Sequence, residues 1–374
     1  MFLSRILITD FRNIASADLE FSDKLNCISG SNGSGKTNLL DAVYSLSMAK
    51  SFFNFQDSFS VRHSCQMCAL AGFYTMDDAT SNKIGLAIYG GGSQEGKTMK
   101  RNDKPYKRLA DHIGLIPIVM VSPNDSSLIN LAAEERRRFL NALLSQIDRE
   151  YLERLQKYNK TLMQRNKLLK DFNVENELLD VFSGQLAENA SYIHQARMKL
   201  CDMLQESVQD YYSRVSGEKE TVRLEYQSEL LKYPMEEILR KNLERDKVMG
   251  FTTGGIHRDD IGFDMAASGE DFHPLKRTAS QGQQKCFQIA LKLAQFDIMK
   301  ARSGGRSPIL LLDDVFDKLD MERVEYLLQM VSGDDFGQIF ITDSNKVRMD
   351  ALVAKVGGRC SNFEVSCGVI KKVS

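Results

Sequence analysis

Residues 30–37 read Gly30-Ser31-Asn32-Gly33-Ser34-Gly35-Lys36-Thr37, between a short apolar strand at residues 25–28 and an apolar helix that opens Asn38-Leu39-Leu40. No other stretch limits the fold as tightly. The glycines let the backbone bend until successive N–H groups and a helix start converge on one point, which is a cradle for phosphate oxygens. A strand before and a helix after are the context that the G-x-x-x-x-G-K-[ST] pattern needs. Lys36 is then expected to reach the outer phosphates of a nucleotide and Thr37 to ligate Mg2+.

Far downstream, Ile309-Leu310-Leu311-Leu312-Asp313-Asp314 is an apolar run ending in two acids. Such a run suits a central strand covered on both faces, and acids at its carboxyl end belong at the ligand crevice beside the phosphate loop. Asp313 is expected to hold Mg2+, directly or through water, and Asp314 to polarise an attacking water. Alone, a strand ending in two acids is more often plain architecture; behind a phosphate loop it becomes part of a site. Between the two lies Ser280-Gln281-Gly282-Gln283-Gln284-Lys285, ahead of a helix at residues 286–299. Taken by itself it is also a serviceable polar helix cap.

The hydrophobic period changes twice along the 374 residues, a length that suggests about two domains. Strand-like alternation fills residues 1–121. From residue 134 apolar side chains step by threes and fours to residue 169, as one long amphipathic helix. After a polar break at residues 171–176 a second such series runs from 179 to 211, making an antiparallel helical hairpin. Strand and short-helix texture returns beyond 247. The expected division is an ATPase head half at 1–123, a helical lobe at 124–245 and the second head half at 246–374.

With 49 basic and 50 acidic residues the formal net charge is -1, which excludes a basic coat binding nucleic acid by bulk charge; a DNA contact would need a local patch. Residues 113–121 form the longest apolar run, too short for a membrane span and broken by Gly114 and Pro117, so no membrane role and a cytoplasmic location are expected. Seven scattered cysteines suit reduced thiols. His63, Cys65 and Cys68 could begin a zinc site, but no second ligand pair follows at zinc spacing.

In this order the motifs resemble the ABC and SMC group of ATPases, whose signature usually reads L-S-G-G-Q. The RecF family is matched along nearly the whole length: Phe11-Arg12-Asn13; the loop running on through Thr37-Asn38-Leu39-Leu40-Asp41-Ala42; Ser122-Pro123-Asn124-Asp125 before Arg136-Arg137-Arg138; Gly254-Gly255-Ile256-His257-Arg258-Asp259-Asp260; the Ser280 segment; and Leu312-Asp313-Asp314-Val315-Phe316. The resemblance implies an α/β fold, an ABC/SMC-type P-loop ATPase head split by an α-helical insertion. It implies ATP and Mg2+ as cofactors, with Gly30, Ser31, Asn32, Gly33, Ser34, Gly35, Lys36, Thr37, Asn38 and Arg12 on the nucleotide. Thr37 and Asp313 would hold the metal, and Lys36 and Asp314 would be catalytic. Ser280, Gln281, Gly282 and Gln283, with Asp320 from the following loop, would close on the nucleotide of a second copy in an ATP-dependent homodimer.

The same resemblance implies a slow, DNA-stimulated ATPase of recombinational repair and replication restart. It would bind single-stranded gaps and duplex DNA and act with RecR and RecO to load RecA. Lys97, Lys100, Arg101, Lys104, Lys107 and Arg108 are a candidate DNA patch and equally an exposed hairpin rim. Arg12 is open between packing and nucleotide contact, Arg136 to Arg138 read better as an interface than as a DNA grip, and His257 to Asp260 read better as an internal charge network than as a triad. Departures from the RecF pattern are Gly255 for proline and Asn124 for an acid, and Asp343 stands where the ABC and SMC group usually has its switch histidine. Competing readings are a transport-type ATPase with a membrane partner, an SMC-like tether and a metabolic kinase; the last would have no use for Ser280.

Overall fold

Alternation at the N-terminus becomes strand pairing. β1 (Phe2–Phe11) and β2 (Ile14–Glu20) form a hairpin, followed by β3 (Leu25–Ser29), α1 (Lys36–Met48), β4 (Met67–Thr75), β5 (Ser81–Gly90), β6 (Glu95–Arg101), β7 (Lys104–Pro105) and β8 (Ile118–Val121). The computed structural model describes residues 1–54, 56–90, 95–171, 176–216, 220–267, 270–317, 319, 321–333, 335–349 and 359–373. After β8 the chain turns helical: α2 (Ser126–Asn130), α3 (Ala133–Ile147), α4 (Arg149–Leu168) and α5 (Asn176–Ser216). Then come β9 (Glu220–Gln227), α6 (Met235–Lys241), α7 (Leu243–Met249), β10 (Asp260–Ala267), β11 (His273–Pro274), α8 (Leu275–Thr278) and α9 (Gln281–Arg302). The chain ends with β12 (Ile309–Leu312), α10 (Met321–Ser332), β13 (Ile339–Asp343), β14 (Cys360–Ser366) and β15 (Val369–Lys372).

Two compact units result: Met1–Asn124 with Gln295–Ser374, and Asp125–Ala294. In the first, β2-β1-β4-β5-β6-β7 make an antiparallel sheet and β15-β14-β3-β13-β12-β8 a second one. In the second sheet β14, β3, β13, β12 and β8 run parallel and β15 closes the edge as a hairpin. The run Ile309 to Leu312 is buried at every position, as a strand covered on both faces must be. Helix α1 is buried nearly all round, polar Asp41, Ser45 and Ser47 included, and its apolar residues pack with side chains of both sheets. Leu39, Leu40, Val43 and Leu46 are fully buried with Ile6, Ile84, Ile309 and Phe340 in one core, each contributing about 2 kcal/mol of burial.

The second unit departs from the expected long first helix. The apolar series is continuous, but the chain breaks at Asp148, whose backbone is extended and whose carboxylate accepts the Tyr151 N–H at 2.9 Å. That is an N-cap, and it starts a new helix. Tyr192 of α5 donates to the other Asp148 oxygen at 2.9 Å. The second expected helix is present as the 41-residue α5, antiparallel to α4: Arg165 reaches Ser183 near one end and Arg197 reaches Tyr151 near the other. This unit also holds a three-stranded sheet, β11-β10-β9, and it extends to Ala294, so Ser280 groups with the helices rather than with β12 and β13.

Candidate functional site

In the first unit the phosphate loop leaves β3 and enters α1. Gly35 has φ +117, and a Cβ there would meet the Asn13 amide at 2.9 Å. Asn13 Nδ2 donates to Ser34 O at 3.2 Å and the Gly368 N–H donates to the same oxygen at 2.8 Å, so the β1–β2 and β14–β15 turns prop the loop from behind. Lys36 is folded back and buried, its Nζ donating to Gly30 O at 2.9 Å and Ser31 O at 3.3 Å. Ser34 Oγ is buried and has no hydrogen-bond partner among the described residues.

Thr37 opens α1 and donates to both oxygens of Asp313, each at 3.0 Å. Asp313 stands at the end of β12 as expected and takes a further hydrogen bond from Thr342 Oγ1 at 2.8 Å, while Thr342 accepts the Asp314 N–H at 3.0 Å. Burial pushes the Asp313 pKa up and the two hydroxyls partly offset it. A hydroxyl and a carboxylate held together, oxygen donors only, form a set that suits Mg2+. Asp314 lies beside it with φ +43, a strained left-handed conformation for a non-glycine residue. Thr342 was not singled out by the sequence; a threonine ending an apolar strand is too common to notice until the strands pair.

Arg12, also at positive φ, forms an ion pair with buried Asp41 at 2.6 Å and donates to Ser51 Oγ at 2.9 Å and to Asn38 Oδ1 at 3.2 Å. Burial raises the Asp41 pKa and Arg12 opposes it. Asn38 in turn donates to Asn13 at 2.7 Å. Asp343, at the end of β13, forms an ion pair with Arg348 at 2.9 Å and accepts the Asn345 N–H. Asp320 lies outside the described residues.

In the second unit Ser280 caps α9. The Gln283 N–H donates to Ser280 Oγ at 3.3 Å and the Ser280 N–H donates to Gln283 Oε1 at 2.7 Å, a reciprocal capping box. Ser280 and Gln281 are exposed, Gly282 is half-buried, and Gln283 Nε2 is anchored on Glu220 at 2.7 Å. Arg136 grips Asp260 through two bonds of 2.6 and 2.9 Å, and Arg137 donates to Asp259 O at 2.7 Å. Arg197 and Asp259 pair at 2.7 Å in the interior, with Tyr226 donating to Asp259 at 2.6 Å. His257 bonds Tyr158 and the Thr252 carbonyl, and burial lowers its pKa to about 4. These residues thus form an internal network. Gly255 has φ +120, which proline cannot adopt, and a Cβ there would lie 2.3 Å from Met235 Cε. Burial raises the Cys68 thiol to about 12, and among the described residues no group of three or more His, Cys, Asp or Glu is placed to hold a metal.

A family model described as RecF/RecN/SMC N terminal domain matches residues 2–360. A protein of Bacteroides thetaiotaomicron named DNA replication and repair protein RecF is 46% identical over 374 residues, spanning 100% of this chain and 99% of its own. One of Porphyromonas gingivalis with the same name is 40% identical over 371 residues, 99% and 100% of the two chains. The solved structure of "the recombination mediator protein RecF-ATP in RecFOR pathway" superposes with a TM-score of 0.87 at 30% identity, covering 100% of this chain and 98% of that one. An SmcHead bound to the C-winged helix domain of ScpA shares the fold, with a TM-score of 0.59 at 15% identity. Sheet order, phosphate loop and acid strand therefore define a P-loop ATPase head of the ABC/SMC type. Within that class the chain belongs to the RecF family.

Proposed function

We propose that this chain is an ATP-dependent DNA-binding protein of recombinational repair and replication restart, switched by nucleotide between single chains and a homodimer. Gly30 to Asn38 would cradle ATP, with Lys36 turning from the loop carbonyls to the outer phosphates and Ser34 Oγ gaining a partner. Arg12 would steady Asn38 at the loop's exit. Thr37 and Asp313 would hold Mg2+, which supplies charge neutralisation on the phosphates. Asp314 would orient the attacking water, and its strained backbone favours a fixed carboxylate over a mobile one.

Ser280 carries the reading. Its capping box leaves the α9 N-terminus exposed, a place for anionic oxygens brought by another chain. Ser280 to Gln283, with Asp320, would close on the γ-phosphate held by a second copy, so that nucleotide binding stabilises the dimer and hydrolysis releases it. The functional head, residues 1–123 and 246–374, would draw on both compact units, with Ser280 supplied by the unit of 125–294, and residues 124–245 would act as the lobe. Hydrolysis would be slow and DNA-stimulated, as suits a timer rather than a pump, and the protein would act in the cytoplasm with RecR, RecO and RecA at gapped DNA; the RecFOR pathway named for the structural relative supports the link to RecR and RecO. Lys100, Lys104 and Lys107 are exposed and are the candidate phosphate contacts. Sedimentation with ATP, ADP and gapped DNA tests the reading: ATP should convert the wild type, but not Lys36→Met, to a dimer. A chain that stays single at high concentration with a non-hydrolysable analogue bound rules it out.

A further inference from the structure

The chain passes between its two units at two peptide links, Asn124–Asp125 and Ala294–Gln295. A buried ion pair joins the residues next to them. Lys292 Nζ lies 2.8 Å from Asp125 Oδ1, with the side chains 6% and 5% exposed. The ammonium also sits over the Phe139 ring, 5.6 Å from its centroid, so α3 holds it from another side.

Each member of the pair continues into a piece of the nucleotide machinery. On the Asp125 side, β8 pairs with β12 through Val121 and Leu312, and Val121 O accepts the Asp313 N–H at 2.8 Å. Only the short turn from Ser122 separates that bond from Asp125, and the turn is fixed by the Asn124 N–H donating to Ser122 Oγ at 3.2 Å. On the other side, Lys292 belongs to the helix that Ser280 caps, roughly 17 Å from its start at 1.5 Å per residue. Apolar residues of similar volume would pack this position at no electrostatic cost, and a buried ion pair is weak evidence for stability alone. What it adds is a directional tie that holds or releases as a unit.

We propose that Asp125 and Lys292 are positioning residues: the pair fastens the two inter-unit connections to each other, so that nucleotide seated on the phosphate loop and Asp313 is sensed at the Ser280 end of α9 in the same chain. This rests on the nucleotide reading above but not on dimerisation. The test is hydrogen exchange on the full chain with and without AMP-PNP and magnesium, at a concentration where sedimentation shows single chains, for wild type, Asp125→Asn, Lys292→Met and Lys292→Arg. Wild type should slow exchange at least threefold both in residues 30–48 and in residues 276–294. Asp125→Asn and Lys292→Met should keep the first response and an AMP-PNP affinity within twofold, and lose the second; Lys292→Arg should keep both. Should Lys292→Met fail to fold, Asp125→Asn, which keeps the shape and loses only the charge, decides alone. An unchanged response at 276–294 in the variants, or its absence in wild type that binds AMP-PNP, overturns the proposal. Wild type that binds no AMP-PNP overturns the nucleotide reading and this proposal with it.

Discussion

In the phosphate loop a Cβ at Gly30 would lie 2.4 Å from the Val365 carbonyl oxygen, and Gly35 is confined as well. Its φ of +117 is strained for any side chain, and the Asn13 amide fills the space a Cβ would take. Gly33 also has positive φ, +79, but a Cβ there meets nothing within 4 Å. The two glycines should therefore respond differently. Gly35→Ala is expected to cost about 1–3 kcal/mol locally and to weaken ATP at least tenfold. Gly33→Asn, a residue that tolerates the left-handed region, should stay within about threefold of wild type. Titration with a fluorescent ATP analogue measures both, and equal losses would show that φ alone governs the loop. The buried Arg197–Asp259 pair makes a stability prediction of the same grain. Asp259→Ala leaves an uncompensated guanidinium in the interior and should cost roughly 3–5 kcal/mol in denaturant unfolding. A loss below about 1 kcal/mol would mean that water reaches Arg197.

At the scale of elements, the sequence revealed the site more readily than the lobe. The phosphate loop, the acid strand and the Ser280 helix start are local patterns, and each depends on residues close together in the chain, so their spacing could be read directly. The supports behind them are not local. Asn13, Gly368 and Thr342 meet the loop or the acids only after strands distant in sequence pair. In the lobe, periodicity named the right apolar positions but could not see the break at Asp148, because α3 and α4 continue the same apolar series. The clue was Asp148 itself, a capping residue within a helical pattern. Likewise the alternation Val222, Leu224, Tyr226 marks β9, which the helical texture around it hid. Removing the cap should cost about 1 kcal/mol for Asp148→Ala, seen as a lower denaturant midpoint. Asp148→Ala also removes the acceptor of the Tyr192 hydroxyl, so Tyr192→Phe, which leaves the cap in place, is the control for that bond.

For the whole molecule, acid and salt act on different surfaces. His112 in one unit and His257 in the other are buried with pKa values lowered from 6.5 to about 4. A histidine held neutral binds its proton more readily once unfolded, so its contribution is complete above pH 6.5 and is lost as pH falls through 4. Each could account for up to about 3 kcal/mol over that window, and His257→Gln should flatten the decline in unfolding free energy between pH 6.5 and 4. Salt should leave that interior untouched and act on DNA. With a net charge of -1 the chain has no bulk attraction for phosphate, so in the proposed function DNA affinity would come from a local patch, doubled in the ATP dimer. If Lys100, Lys104 and Lys107 of both chains each neutralise one phosphate, log K should fall against log salt with a slope of about -5 in the ATP state. Changing all three to Gln should bring the slope close to zero while sedimentation still shows the ATP dimer. A slope that survives those changes would move the DNA contact to another face of the molecule.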